Sequence, residues 1–488
     1  MKNKASLKKN IVLNYVKTLM SLIFPLITFP YASRVLGPAG IGKVNFATSV
    51  ISYFTLIASL GISGYGIREG AKIRDDKEKL SQFTQEVFTI NMISTVAAYF
   101  LLIVSILFIP KLQMYQRLLV ISSATILFST IGMDWLYTVT ESFAYITIRA
   151  AVFQVIGVVL LYIFVHDEND YFVYAAILVF TNVGSNVMNF IHSRKFISFS
   201  PKRKLILWKH LLPIFLLFAL SAVSSIYNML DSTMLGFLAS DVEVGIYTAA
   251  TKVNRLTVSL VTSTGTVFLP RLVYIYEKER GNFEKLAQKS INLTLLISLP
   301  ACVGLIVLAK PIILLLNGEQ YLSAVPVMRV MSPIIVALGI SNFTGVQLFL
   351  TLKKERLTLI SDICGAVVNF SLNVVFILKY GALGAAIASV CAESMVTIVQ
   401  LFFARNDINI LKILQSVIRY LLPSLVMGTV VAIETIFVSS IYLQLFFGVL
   451  CGLGIYFLLL LLLKDQCLME ILDQVKKKIG KKERKISS

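Results

Sequence analysis

Acidic residues are scarce in this 488-residue chain: 26 Asp and Glu stand against 45 Lys and Arg, for a net charge of +19, and charged residues of both signs make up only 15%. That excludes an ordinary water-soluble domain, in which about a quarter of the residues carry charge. Histidine is scarcer still, at 3 residues, and the 5 cysteines (Cys302, Cys364, Cys391, Cys451, Cys467) show no metal-ligand spacing. His166, His192 and His210 stand at predicted helix ends, far apart, with no carboxylate or cysteine cluster beside them. The cysteines read as inert core thiols. No metal site, cofactor or catalytic constellation is expected, and the chain does not read as an enzyme.

What is abundant is apolar: 57% of residues are hydrophobic and the mean hydropathy is +0.80. Runs of about 20 apolar residues, each long enough to cross a ~30 Å hydrocarbon core as a helix, recur along the whole chain. About fourteen are expected, giving an all-α polytopic membrane protein. The first, about residues 10 to 32, is followed by no small-residue cleavage site and reads as a retained helix. Basic residues alternate by side of the membrane. With the N-terminus in the cytoplasm, roughly 35 fall inside and about six, such as Arg34, Lys111, Lys310 and Lys379, outside, in line with the positive-inside rule. That distribution argues against nucleic acid as partner. The KKKIGKKERK tail is expected to rest on anionic lipid headgroups.

An internal repeat organises the spans. A shift of 203 residues lays Gly42, Ala47 and Thr48 of the second span on Gly245, Ala250 and Thr251 of the eighth, so both read G-x-x-x-x-A-T. The same shift aligns Asn45, Ser52 and Ser59 with Thr248, Arg255 and Thr262, spaced by about two helical turns. The expected division is a basic N-terminus (1–9), a six-helix bundle (10–192), a basic linker (193–208) and a second six-helix bundle (209–404). A connection (405–417), two further helices (418–463) and a basic tail (464–488) complete it. The halves are expected to be related by an axis along the membrane normal, with a central cleft.

Polar stripes and intramembrane charges mark what the cleft would bind. Asn45, Thr48, Ser52, Thr55 and Ser59 share one helix face; Thr248, Lys252, Arg255, Ser259, Thr262 and Thr266 share another. A charged side chain in hydrocarbon costs about 2.5–3.5 kcal/mol on insertion scales, so these faces are expected to line a hydrated cavity or pack on one another. Interhelical hydrogen bonding alone accounts equally well for the first stripe, but not for Lys252 with Arg255. Lys17, Arg34, Lys252 and Arg255 are expected to form a basic cleft suited to a phosphate or diphosphate. Asp231 reads either as the ion-pair partner of a cleft cation or as a ligand for a coupling Na⁺ or H⁺, with Asn369, Asn373 and Ser389 as further oxygen donors. Asp134, Arg149, Arg329 and Asp362 lie near helix ends, where snorkelling or an ion pair explains them.

The segments SRVLGPAGIG (33–42) and GYGIRE (64–69), with Asp231-Ser-Thr-Met-Leu-Gly236 and Gly245 to Lys252, resemble Wzx-type polysaccharide flippases. These belong to the multidrug/oligosaccharidyl-lipid/polysaccharide (MOP) exporter superfamily, with the MATE transporters and lipid II flippases. The resemblance covers essentially the whole chain. It implies alternating access, with an undecaprenyl-diphosphate-linked oligosaccharide carried across a bacterial cytoplasmic membrane for assembly of capsule, O-antigen, exopolysaccharide or teichoic acid. A glycan polymerase and glycosyltransferases are the implied partners, and the two last helices are an implied groove for the polyprenyl tail. Lipid II flippases have a denser arginine pattern around the first two helices, thinned here to Arg34 and Lys43. A multidrug or cation antiporter of the same superfamily is the first rival, disfavoured by Lys17 and the lack of an acid in the first span. A membrane-embedded polymerase or ligase is disfavoured by short outer loops. An unrelated fourteen-helix carrier is weakened by the repeat.

Overall fold

In hydrocarbon every backbone N–H and C=O must be paired within its own segment, and the described residues meet that demand with helices. The computed structural model describes residues 7–198, 205–470 and 472–473, and contains no strand among them. By length and composition, eleven of the described helices are long and apolar enough to cross a membrane; a bent pair, Trp208–Ala219 with Ser221–Leu238, brings the number to twelve. The chain is therefore a multi-pass integral membrane protein. The expected figure of about fourteen is not reached by this measure.

Two of the eleven, Phe24–Ile73 and Glu355–Ala404, are 50 residues long. At 1.5 Å per residue each runs to about 75 Å, more than twice the thickness of the hydrocarbon core. Each contains a break. Gly37 has φ 64 and ψ 178 inside the Leu7–Ser59 helix, just before Pro38, and Gly381 has φ 54 and ψ −128 inside Glu355–Ala404. A side chain at either φ would be strained, which is why glycine occupies both breaks.

The residues fall into two units, 1–248 and 249–488. Within the first, Tyr65, Phe83, Val87, Trp135 and Leu136 form a buried cluster at one end of the helices. The repeat also has a physical counterpart in this unit. A Cβ on Gly42 would run into the carbonyl oxygen of Asp241, and one on Gly245 into that of Pro38. Asp241 lies 203 residues after Pro38, as Gly245 does after Gly42. The two helix starts cross so that each glycine sits on its counterpart's carbonyl, a self-complementary contact of the kind a two-fold axis generates.

Within the second unit, the two last helices, Ile410–Phe437 and Ile441–Leu462, pack against Arg280–Asn317. Gly428 faces Val303, Gly448 faces Leu308 and Gly452 faces Val431, the small-residue contact that lets helices approach where lipid supplies no hydrophobic drive. Ion pairs Lys412–Glu284 (2.8 Å) and Arg419–Asp465 (3.0 Å), with a further pair Lys289–Glu470, tie their ends to the same unit.

Candidate functional site

The two polar stripes form on helices, and most of their hydroxyl and amide groups bond within their own helix. Asn45 donates to the Ile41 carbonyl (2.8 Å), Ser52 to Thr48 (2.8 Å), Thr55 to Ile51 (2.9 Å) and Ser59 to Leu56 (3.0 Å). On the Asp241–Lys278 helix, Thr248 donates to Val244 (2.7 Å), Ser259 to Leu256 (2.7 Å) and Thr262 to Val258 (3.0 Å). Each hydroxyl or amide thus folds back on a carbonyl three or four residues earlier and needs no neighbouring helix to be paired. Interhelical bonding does occur one position off the first stripe, where Thr233 donates to Ser49 at 3.1 Å.

The basic residues divide by position. Arg34 is exposed three residues before the Gly37 break. Lys252 is half-buried and Arg255 exposed, one turn apart on the same face of an unbroken helix. The side chain of Lys17 lies outside the described residues. Lys43 sits over the Tyr171 ring, 4.6 Å from its centroid.

Asp231, in the first unit, accepts from Tyr247 at 2.5 Å. Asn369, Asn373 and Ser389 lie in the second, all buried on Glu355–Ala404, with Gly381 between the asparagines and the serine. Asn373 donates to Asn369 Oδ1 (3.0 Å) and Ser389 to the Ala385 carbonyl (2.8 Å). Among the described residues no group of three or more His, Cys, Asp or Glu is placed to hold a metal ion.

One expectation is corrected. His210 does have a carboxylate partner: its Nε2 lies 2.8 Å from Glu86 Oε2, and its Nδ1 2.7 Å from the Tyr65 hydroxyl. Glu86, 1% exposed, also accepts from the Ile206 backbone N–H (3.0 Å) and from Lys209 (2.8 Å). With Tyr65 donating to Nδ1 and Nε2–H donating to Glu86, every member is satisfied. The separation of 124 positions between Glu86 and His210 hid the pair from a reading by spacing. The ion-pair explanation of Arg149 and Asp134 matches the structure, which places them 3.6 Å apart, with Arg149 also donating to the Ser185 carbonyl (2.8 Å).

Two further sets of buried polar bonds had no signal in sequence. Ser290 donates to Gln347 (2.5 Å), Thr344 to Gln400 (2.5 Å) and Gln400 to Ser361 (3.1 Å). Thr344 and Gln347 lie in a π-helical turn, Asn342–Leu348, of the kind that often marks functional sites.

Comparison with known proteins agrees with this architecture. Residues 215–375 match the MatE family model. The chain is 24% identical over 415 residues to an Escherichia coli (strain K12) protein whose name assigns it, provisionally, to O-antigen transport; the match spans 83% of this chain and 98% of that one. It is 25% identical over 243 residues to a Haloferax volcanii protein provisionally named the low-salt glycan biosynthesis flippase Agl15, over 48% of this chain and 51% of that one. Its fold is similar to that of the lipid II flippase MurJ in an inward closed conformation, with TM-score 0.75 and 20% identity over 93% of this chain and 99% of that one. Residues 7–276 match the model of the polysaccharide biosynthesis protein family, and the chain belongs to that family.

Proposed function

We propose that this protein is a flippase that moves undecaprenyl-diphosphate-linked oligosaccharides from the cytoplasmic to the outer face of the cytoplasmic membrane, for assembly of a surface polysaccharide. The observation that carries this reading is Lys252 with Arg255 on one face of the helix that also bears Thr248, Ser259 and Thr262. Two cations one turn apart suit a diphosphate, Arg offering a bidentate fork and Lys a mobile point charge. Hydroxyls already paired to their own backbone keep lone pairs free to accept from sugar hydroxyls as these pass. Arg34 and Lys17 are further candidate cations for the substrate in this reading, and Asp231, Asn369, Asn373 and Ser389 are candidate oxygens for a coupling Na⁺ or H⁺. The 50-residue helices broken at Gly37 and Gly381 cross twice each, which brings twelve spans to fourteen and makes two six-helix bundles, 10–192 and 209–404, with two helices besides. Both termini are cytoplasmic in this topology, as the placement of basic loops requires.

The test is depletion of the protein followed by extraction of polyprenyl-diphosphate saccharides and assay of the membrane face they occupy. Accumulation on the cytoplasmic face is the expected result, and mass would identify the glycan. The MatE match over 215–375 favours one second reading, a cation antiporter. An unchanged lipid pool with altered sensitivity to cationic dyes would select it.

A further inference from the structure

A pocket of about 610 Å³ opens in the first unit between the start of the Lys77–Phe108 helix and the end of Asn186–Ser193, lined by Lys77, Phe190, Arg194, Ile197 and Ser198. Its volume falls within the range of small-molecule sites, about 300–1,000 Å³. Its walls are fixed from behind: the Ser198 N–H donates to Ser81 Oγ at 3.0 Å, and Gln85 donates to the Ser198 carbonyl. Neither Lys77 nor Arg194 forms an ion pair with another described residue, and both are exposed. Asp76, beside Lys77 in sequence, is engaged twice, capping the helix through the Glu78 and Lys79 N–H groups and pairing with Lys79 at 3.1 Å. In sequence Asp75 and Glu78 stand close to Lys77, and Lys195 follows Arg194.

The same pocket has an apolar margin. Phe190 stacks at a tilt on Phe88, 5.9 Å between centroids, and the adjacent Val187, Met188 and Ile191 of its helix are exposed, as a lipid-facing surface is. Two cations beside an apolar wall, where one membrane helix begins and another ends, match an amphiphile with an anionic head. We propose that the pocket binds the phosphate of an anionic membrane phospholipid, with Arg194 and Lys77 on the phosphate and Phe190 against its glycerol and upper acyl carbons. A free phosphate ion shares the head chemistry but leaves the Phe190 wall without a partner. On the topology proposed above the pocket faces the cytoplasmic leaflet; the anion site itself does not depend on that topology.

Native mass spectrometry of the full chain in detergent tests it with phosphatidylglycerol, phosphatidylcholine and inorganic phosphate as probes. The wild type is expected to retain one phosphatidylglycerol that phosphatidylcholine at equal concentration does not replace. Lys77→Ala with Arg194→Ala should weaken that binding about thirtyfold. Lys77→Arg with Arg194→Lys should keep it within a few-fold, and Lys195→Ala should leave it unchanged. Equal retention of the two lipids by the wild type, or undiminished binding by a double-alanine protein that melts like the wild type, overturns the site. Displacement by inorganic phosphate at equal concentration overturns the lipid assignment. Because binding is read without transport, Arg255→Ala should retain the lipid even where flipping is lost.

Discussion

At the scale of single residues, Arg255 and Cys467 show how position in the fold sets chemistry. Arg255 is exposed on a helix face it shares with half-buried Lys252, so its removal does not open a cavity and a transport defect would report on the substrate. Arg255→Ala is expected to abolish flipping in the depletion assay with protein level and melting unchanged, and Arg255→Lys, which keeps the charge but loses the fork, to retain part of it. Wild-type flipping by Arg255→Ala would remove the basic-cleft mechanism. Cys467 lies just past the Ile441–Leu462 helix and is 7% exposed in the core of the second unit. Burial, aided by the Asp465 carboxylate, pushes its thiol up to about 11. Since the thiolate is the nucleophile, at pH 8 it should react with a small maleimide about two orders of magnitude more slowly than a free thiol of pKa about 8.5. Raising the pH should speed the reaction, because the group loses its proton only as pH climbs toward the elevated value. Mass spectrometry of the Cys467 peptide with and without denaturant checks this; rapid labelling in the folded state would show the core to be open there.

At the scale of elements, glycine decides where helices cross and where they break. The reciprocal contact of Gly42 with the Asp241 carbonyl and Gly245 with the Pro38 carbonyl leaves no room for a β-carbon on either side. Gly42→Ala and Gly245→Ala should each destabilise the protein by about 1–3 kcal/mol, the usual cost of overpacking. Because the contacts are equivalent, the two losses should be similar. A thermal-shift series measures them, and an unchanged melting temperature for either variant would contradict the close crossing. The G-x-x-x-x-A-T repeat was legible because duplication preserves small residues where backbones touch, and Gly37 and Gly381 fall between runs that apolar length already separated. The Glu86–His210 pair and the Ser290–Gln347 and Thr344–Gln400 bonds were not legible. Their members are distant in sequence, and a polar residue in an apolar span looks the same whether it bonds its own helix, as Ser52 does, or a distant one, as Gln400 does. The intramembrane cations stood out by cost alone, which located Lys252 and Arg255 on a shared face.

At the scale of the whole molecule, the number of times the chain crosses fixes which loops face the substrate's destination. If the 50-residue helices broken at Gly37 and Gly381 each cross twice, Asp75 lies on the cytoplasmic side, Glu319 and Lys379 outside, and Asp407 inside. If the first crossed only once, Asp75 would be outside and the positive-inside pattern would invert beyond it, placing Arg194 and Lys195 on the outer face. Single cysteines introduced by Asp75→Cys, Glu319→Cys, Lys379→Cys and Asp407→Cys, in a background with the five native cysteines replaced, separate the two cases. A membrane-impermeant maleimide added to intact cells should label positions 319 and 379 and spare 75 and 407 until the membrane is permeabilised. Labelling of position 75 from outside would make Phe24–Ile73 a single crossing. It would also move the Lys77 and Arg194 pocket to the outer leaflet, and would place the two halves in opposite directions. The halves would then be inverted repeats, and the reciprocal crossing of Gly42 and Gly245 could not arise from an axis along the membrane normal. Parallel halves and a cytoplasmic Asp75 therefore stand or fall together.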